Sequence, residues 1–215
     1  MLLDGTVRAV AETIGKGIRS LTLGLYGEVV ASQLLPPYAK LVASGQVFIL
    51  EALSSTGKAP VQAAPVASPE WGVYNANPDG GKSLVLIQAG VMLNSGTSAL
   101  GIGIFVASAI GPQTVVTTDY STGAAAIKTC ADGTPKKPAA FLINNPTLLG
   151  DTPAYTTLVG SFDTTTASTA GSSIVGWVDG LIVAPPKGIL CLEVGAPAGS
   201  TALFAPFFVV AEVQL

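Results

Sequence analysis

Thirteen carboxylates and no histidine set the limits of the chemistry available to this chain. Without an imidazole the commonest general base and metal ligand is missing, which removes Ser-His-Asp, Cys-His and His-metal schemes. Paired-carboxylate hydrolysis needs two acids roughly 5–10 Å apart in a cleft. Here the aspartates stand singly beside glycine and proline: Asp79-Gly80, Asp132-Gly133, Asp151-Thr152-Pro153 and Asp179-Gly180. Such pairs make turns, because Asp and Gly tolerate the backbone conformations turns require. Asp119, Asp151 and Asp163 could offer hard oxygen ligands to calcium, but no D-x-D-x-D-G loop holds them. Cys130 and Cys191 are too few for a zinc site or a disulfide framework, and both are expected as reduced, semi-buried thiols. Gly80-Gly81-Lys82-Ser83 is only the tail of a phosphate-loop pattern, and the Leu84-Val85-Leu86-Ile87 after it reads as strand rather than helix. Gly101-Ile102-Gly103 lacks the third glycine of a dinucleotide fingerprint. The chain is therefore expected not to be an enzyme, with no catalytic residue, no metal, no cofactor and no small-molecule substrate.

Three aromatic residues are the remaining candidates for a recognition role. Trp71, Tyr74 and Trp177 could form a sugar-stacking platform, or they could anchor a core or a subunit interface. The second reading is preferred from position. Trp177 lies between Ile174-Val175 and Val178, and Trp71 directly precedes Gly72-Val73-Tyr74.

The elements that must position these residues are strands. After Gly27 the expected strands are 28–34, 38–43, 46–53, 71–75, 83–93, 100–109, 114–118, 124–130, 139–143, 155–162, 173–178, 180–184, 188–194 and 202–213. They are punctuated by Pro36-Pro37, Ser44-Gly45, the Asn77-Pro78-Asp79-Gly80-Gly81 corner, Gly111-Pro112, Asn145-Pro146 and Pro185-Pro186. This spacing predicts an all-β, jelly-roll-like sandwich and excludes a doubly wound α/β fold. Val7, Val10, Ile14 and Ile18 recur at helical steps, so the N-terminal arm has room for one short helix. Ser54–Pro69 reads as a linker or an extended crossing segment. The expected organisation is residues 1–66 as an arm with short strands and 67–215 as the sandwich domain.

Composition bears on partners. Only 11% of residues are charged and 49% are hydrophobic, against about 25% charged in ordinary globular proteins. So little charge leaves a lone monomer short of polar surface, and burial against neighbouring subunits is the simplest remedy. A membrane would be another, but the apolar runs between Ser83 and Thr118 are broken by Gly, Ser and Pro before any reaches about 20 residues. The start Met-Leu-Leu-Asp has no basic region and is not expected to be a secretory leader. A net charge of −3 offers no basic face to nucleic acid.

Three stretches carry a resemblance. They are Tyr-Gly-Glu-Val-Val-Ala-Ser-Gln-Leu at 26–34 with Pro-Tyr-Ala-Lys-Leu-Val-Ala-Ser-Gly-Gln-Val-Phe at 37–48, the segment from Trp71 to Ile87, and Val-Asp-Gly-Leu-Ile-Val-Ala-Pro-Pro-Lys-Gly at 178–188. In texture and order of turns the chain resembles small virion proteins of tailed bacteriophages. The resemblance implies a structural β-sandwich protein of the capsid surface, made in the host cytoplasm, of the cement (decoration) or head-fibre-base type. Its implied partners are further copies of itself and the major capsid protein. The usual position of such proteins at capsid three-fold sites implies a trimer. The alternative within the same resemblance is a receptor- or glycan-binding domain of a head or tail fibre.

Overall fold

The computed structural model describes residues 38–52, 57–61, 69–97, 101–111, 119, 126–148, 157–162, 173–196 and 200–215. The chain divides into two compact units, Met1–Lys40 and Leu41–Leu215. The strands expected at 28–34 and 114–118, the arm helix, Asp151 and Asp163 lie outside the described residues.

Among the described residues the second unit is an antiparallel β-sandwich. Its strands are β1 (Val47–Ala52), β2 (Trp71–Asn75), β3 (Ser83–Ser95), β4 (Ile102–Ile110), β5 (Ala126–Cys130), β6 (Ala140–Asn144), β7 (Thr157–Phe162), β8 (Ser173–Ala184), β9 (Gly188–Gly195) and β10 (Leu203–Val213). They form two five-stranded sheets, in the orders β5-β1-β10-β3-β8 and β6-β2-β9-β4-β7. The pairing is nested from the outside in: β1 with β10, β2 with β9, β3 with β8 and β4 with β7. β5 and β6 come from the long connection between β4 and β7, and they add one strand beside β1 and one beside β2.

Alternation within each strand builds the core. Phe48 and Leu50 of β1, Leu84, Leu86, Ala89 and Val91 of β3, and Phe208 and Val210 of β10 project inward from the first sheet. Trp71, Val73, Ile104, Leu142, Leu190, Leu192 and Val194 meet them from the second. Each buried Val, Leu, Ile or Phe among them contributes roughly 1.5–3 kcal/mol. The outward face of the second sheet carries its own buried cluster, with Tyr74, Ile189 and Cys191 packed against Ile143 and Leu148.

Polar side chains tie the two sheets together at their margins. The fully buried Asn75 amide donates to Lys82 O and Ala184 O, both at 3.0 Å, and accepts from the Asn77 backbone N–H. Asn77 Nδ2 donates in turn to Glu212 Oε1 at 3.0 Å, which also accepts the Ala139 N–H. The Asn-Pro-Asp-Gly-Gly corner is thus tied to β10 through Glu212 and, through Asn75, to the end of β8. At the β5/β6 margin, Lys128 Nζ pairs with Asp119 Oδ2 at 2.7 Å and donates to Ala140 O at 2.8 Å. Asp119 Oδ1 accepts the Leu142 N–H, so these two side chains occupy hydrogen-bonding groups along edge strand β6.

Three expectations change and one holds. Residues 38–43 were expected as a strand, and Ala39–Ala43 forms a short helix, α1. Its end is closed by Gly45 N–H to Val42 O and Gln46 N–H to Leu41 O, a helix stop that the Ser44-Gly45 pair makes possible. The boundary expected near residue 66 falls instead between Lys40 and Leu41, and β1 is an interior strand bonded to both β10 and β5. Residues 173–178 and 180–184 are one strand interrupted by a bulge rather than two strands. The crossing reading of Ser54–Pro69 holds for its described part: Lys58 pairs with Phe204 of β10 and Val61 with Val194 and Ala196 at the end of β9.

Candidate functional site

The two outward faces of the sandwich differ in kind. On the second sheet Tyr74, Ile189 and Cys191 are buried. On the first sheet a run of outward positions is open, and the ladder register identifies them. Ile49 lies opposite Val209, Glu51 opposite Phe207, Phe207 opposite Gly90 and Gln88 opposite Trp177. Ile127, Ile49, Phe207, Val209 and Met92 are each half-buried, and Glu51 is the one ionisable side chain among these partners. Phe207 lies across Gly90, where a β-carbon would come within 2.4 Å of its ring. Glycine here lets an aromatic ring lie flat on the sheet.

Exposure rises toward edge strand β8. Val175 is 43% exposed, Trp177 64% and Leu181 84%. A bulge produces this arrangement. Gln88 pairs with Trp177 and Leu86 with Ile182, so the four residues 178–181 stand against Ile87 alone. Asp179 and Gly180 take positive φ values of 52° and 82°, which explains the Asp-Gly pair at this point. Val178 turns into the core while Leu181 is thrown outward. Just beyond β8, Ile110, Gly111, Pro185 and Pro186 line an apolar groove of about 540 Å³ with Lys187 at its side.

The three aromatic candidates are not brought together. Trp71 is 1% exposed and belongs to the inter-sheet core, with Lys58 Nζ 5.6 Å from its ring centroid. Tyr74 is buried on the opposite face of the same strand. Neither can stack on a sugar, because alternation along β2 sends one ring into each packed layer. Trp177 is the exposed member, on the outer face of the other sheet. Trp71 and Tyr74 therefore stand as buried anchors of two packed layers, and the glycan alternative is left with Trp177. A wholly internal position is likewise excluded for Trp177.

The polar candidates also find places. Asp119, considered for calcium, is taken up by Lys128 and the Leu142 N–H. Among the described residues no three Asp, Glu or Cys side chains converge as metal ligands. Cys130 and Cys191 are both buried thiols, one in each of the two clusters. The Cys130 thiol and Thr134 hold the Asp132 carboxyl down to about 2 by hydrogen bonding. No described helix is long and apolar enough to cross a membrane.

Sequence reasoning missed Leu181 and the burial of two acids, Glu70 and Glu193. A charge inside the apolar run Ile189-Leu190-Cys191-Leu192-Glu193-Val194 was the available signal for the second. No protein-family model matches this chain, and no curated protein matches it.

Proposed function

We propose that this chain is a non-enzymatic structural protein that works by assembling with other subunits, as a capsid cement or decoration protein of a tailed-phage virion. The observation that carries the assembly role is the open outer face of the first sheet, running from half-buried Ile49, Phe207 and Val209 to exposed Val175, Trp177 and Leu181. Apolar positions joined across several strands mark an interaction surface rather than scattered surface hydrophobes. The virion placement rests on the resemblance of residues 26–48, 71–87 and 178–188. The nested pairing, 1-10-3-8 over 2-9-4-7, supports a jelly-roll reading of the sandwich, an architecture common in capsid proteins. The implied partners are further copies of the chain, as a trimer, and the major capsid protein.

Sedimentation velocity at micromolar concentration tests this, followed by electron microscopy beside capsids. The wild type sediments as an oligomer and decorates capsids. Trp177→Ala weakens association by about thirtyfold or more, the effect of losing a central aromatic anchor worth at least 2 kcal/mol. A wild-type protein that sediments as a single chain and leaves capsids bare would overturn the proposal.

One observation favours a second reading. Trp177 stands exposed on a sheet face, as a sugar-stacking ring must. In a glycan-binding fibre domain, Trp177→Ala would erase a wild-type glycan-array signal and leave the sedimentation profile unchanged.

A further inference from the structure

Residues 57–61 cross from one sheet to the other, tied at both ends by backbone hydrogen bonds. Lys58 N–H donates to Phe204 O and accepts at its own carbonyl from Phe204 N–H, both at 2.8 Å. Val61 N–H donates to Val194 O at 2.8 Å, and Ala196 N–H donates to Val61 O at 2.9 Å. Between these ties the strap has no strand partner among the described residues. Beside it lies Glu70, 3% exposed, with Oε2 accepting the Val194 N–H at 2.8 Å. Its carboxylate thus stands in for a backbone acceptor where β2 has not yet begun. Its other oxygen, Oε1, is buried without a hydrogen-bond partner. The Lys58 ammonium donates to Glu70 O at 3.1 Å and to Asn145 Oδ1, while Glu193, fully buried on β9, adds a second carboxylate.

We propose that the buried acids Glu70 and Glu193, with half-buried Lys58, make the strap a proton-held latch, closed while Glu70 carries a proton and released when it ionises. The geometry supplies the reasons. A buried carboxylate with an orphan oxygen is tolerable as a neutral acid and costly as an anion. An anion there would share one ammonium with Glu193 and needs water, and the strap is held beside it by four backbone hydrogen bonds among the described residues, against the full ladders of β2 and β9. Burial pushes the Glu70 carboxyl up to about 8, opposed by the Val194 N–H and Lys58 and reinforced by Glu193. Burial also lowers Lys58, against the pull of Glu70 and Glu193. Among the described residues Lys58, from the strap, and Glu193, from β9, are the charged groups that act on Glu70. The sign follows. The closed form holds a proton that the open form releases, so closure is fully favoured below the ordinary carboxylate value of 4.5 and loses ground as pH rises to about 8. This latch is a property of the domain and does not depend on what the domain assembles with.

The peptide bond after Lys58 gives a direct readout, because trypsin can cut it only when the strap lifts. Full-length protein is digested at low trypsin between about pH 7 and pH 9, where cleavage follows the open population. Rates at Lys58 are divided by those of a short peptide carrying the same flanking residues. The corrected rate should rise about tenfold over this range, most of it below pH 8, and level off above. Glu70→Gln, which keeps the shape without the titration, should hold the rate within about twofold across the range. An equal rise in that variant, or no rise in the wild type, overturns the latch. If Glu70→Gln does not fold, carbon NMR of the Glu70 carboxyl in the wild type decides instead. A titration midpoint shared with the cleavage profile supports the latch, and one in the ordinary glutamate range overturns it.

Discussion

Trp71 and Trp177 are chemically identical and physically opposite. Trp71 fills space between the sheets as part of the core cluster, with the Lys58 ammonium 5.6 Å from its ring centroid. Truncating it removes that burial and leaves a cavity that tightly hydrogen-bonded strands cannot close. Trp71→Ala is therefore expected to cost about 3–5 kcal/mol, read as a shift in the urea midpoint at unchanged slope. The same truncation at Trp177 should alter the stability of the separated chain by less than about 0.5 kcal/mol, because its ring already faces solvent there. The sequence could not separate the two. In Ser173-Ile174-Val175-Gly176-Trp177-Val178 both alternating sets are apolar, so parity does not say which set faces the core. What decides is the neighbour: Gln88 beside Trp177 marks the outward face, and that pairing is a long-range fact. Glu70 was similarly opaque, since its burial comes from a strand more than a hundred residues away.

At the scale of elements the turns were legible and the breaks between elements less so. Gly, Pro and Asx clusters locate nine of the ten described strands to within a few residues, because those residues act through local backbone preference. The tenth, β8, was read as two, since an Asp-Gly pair signals positive φ but not whether the chain reverses or merely bulges. The short helix α1 is hidden in the sequence because Ala39-Lys40-Leu41-Val42-Ala43 is too brief to show a period. The β8 bulge invites a direct test. Gly180 sits at φ 82°, and a β-carbon there would come within 3.2 Å of Val85 Cγ1. Gly180→Val should destabilise by about 1–2 kcal/mol through the left-handed backbone alone. Because Leu181 rides on this bulge, the variant should also weaken self-association in sedimentation.

For the molecule as a whole, the arm boundary matters most. An arm ending near residue 66 predicted that the remainder would fold without it, but β1 lies between β10 and β5 and the strap bridges both sheets. Deleting Met1–Lys40 should leave a cooperatively melting β domain by circular dichroism, whereas deleting Met1–Pro65 should abolish the transition. The composition-based reading failed here because Ala, Ser and Pro near 54–69 describe a loop equally well whether it joins two domains or crosses one. The nested pairing also has a consequence for how the protein is made. β1 and β3 both hydrogen-bond to β10, which leaves the ribosome last among the described strands. At about 5–20 residues per second, β1 waits on the order of ten to thirty seconds for its partner to be synthesised. Until then the β1-β5 and β3-β8 pairs have no strand to join them, and Phe48, Leu50, Leu84 and Leu86 lack the completed sheet. The last eleven residues of the sandwich, Leu203–Val213, are thus its keystone, and a ribosome that stalls before them leaves a chain fit for chaperones rather than for assembly.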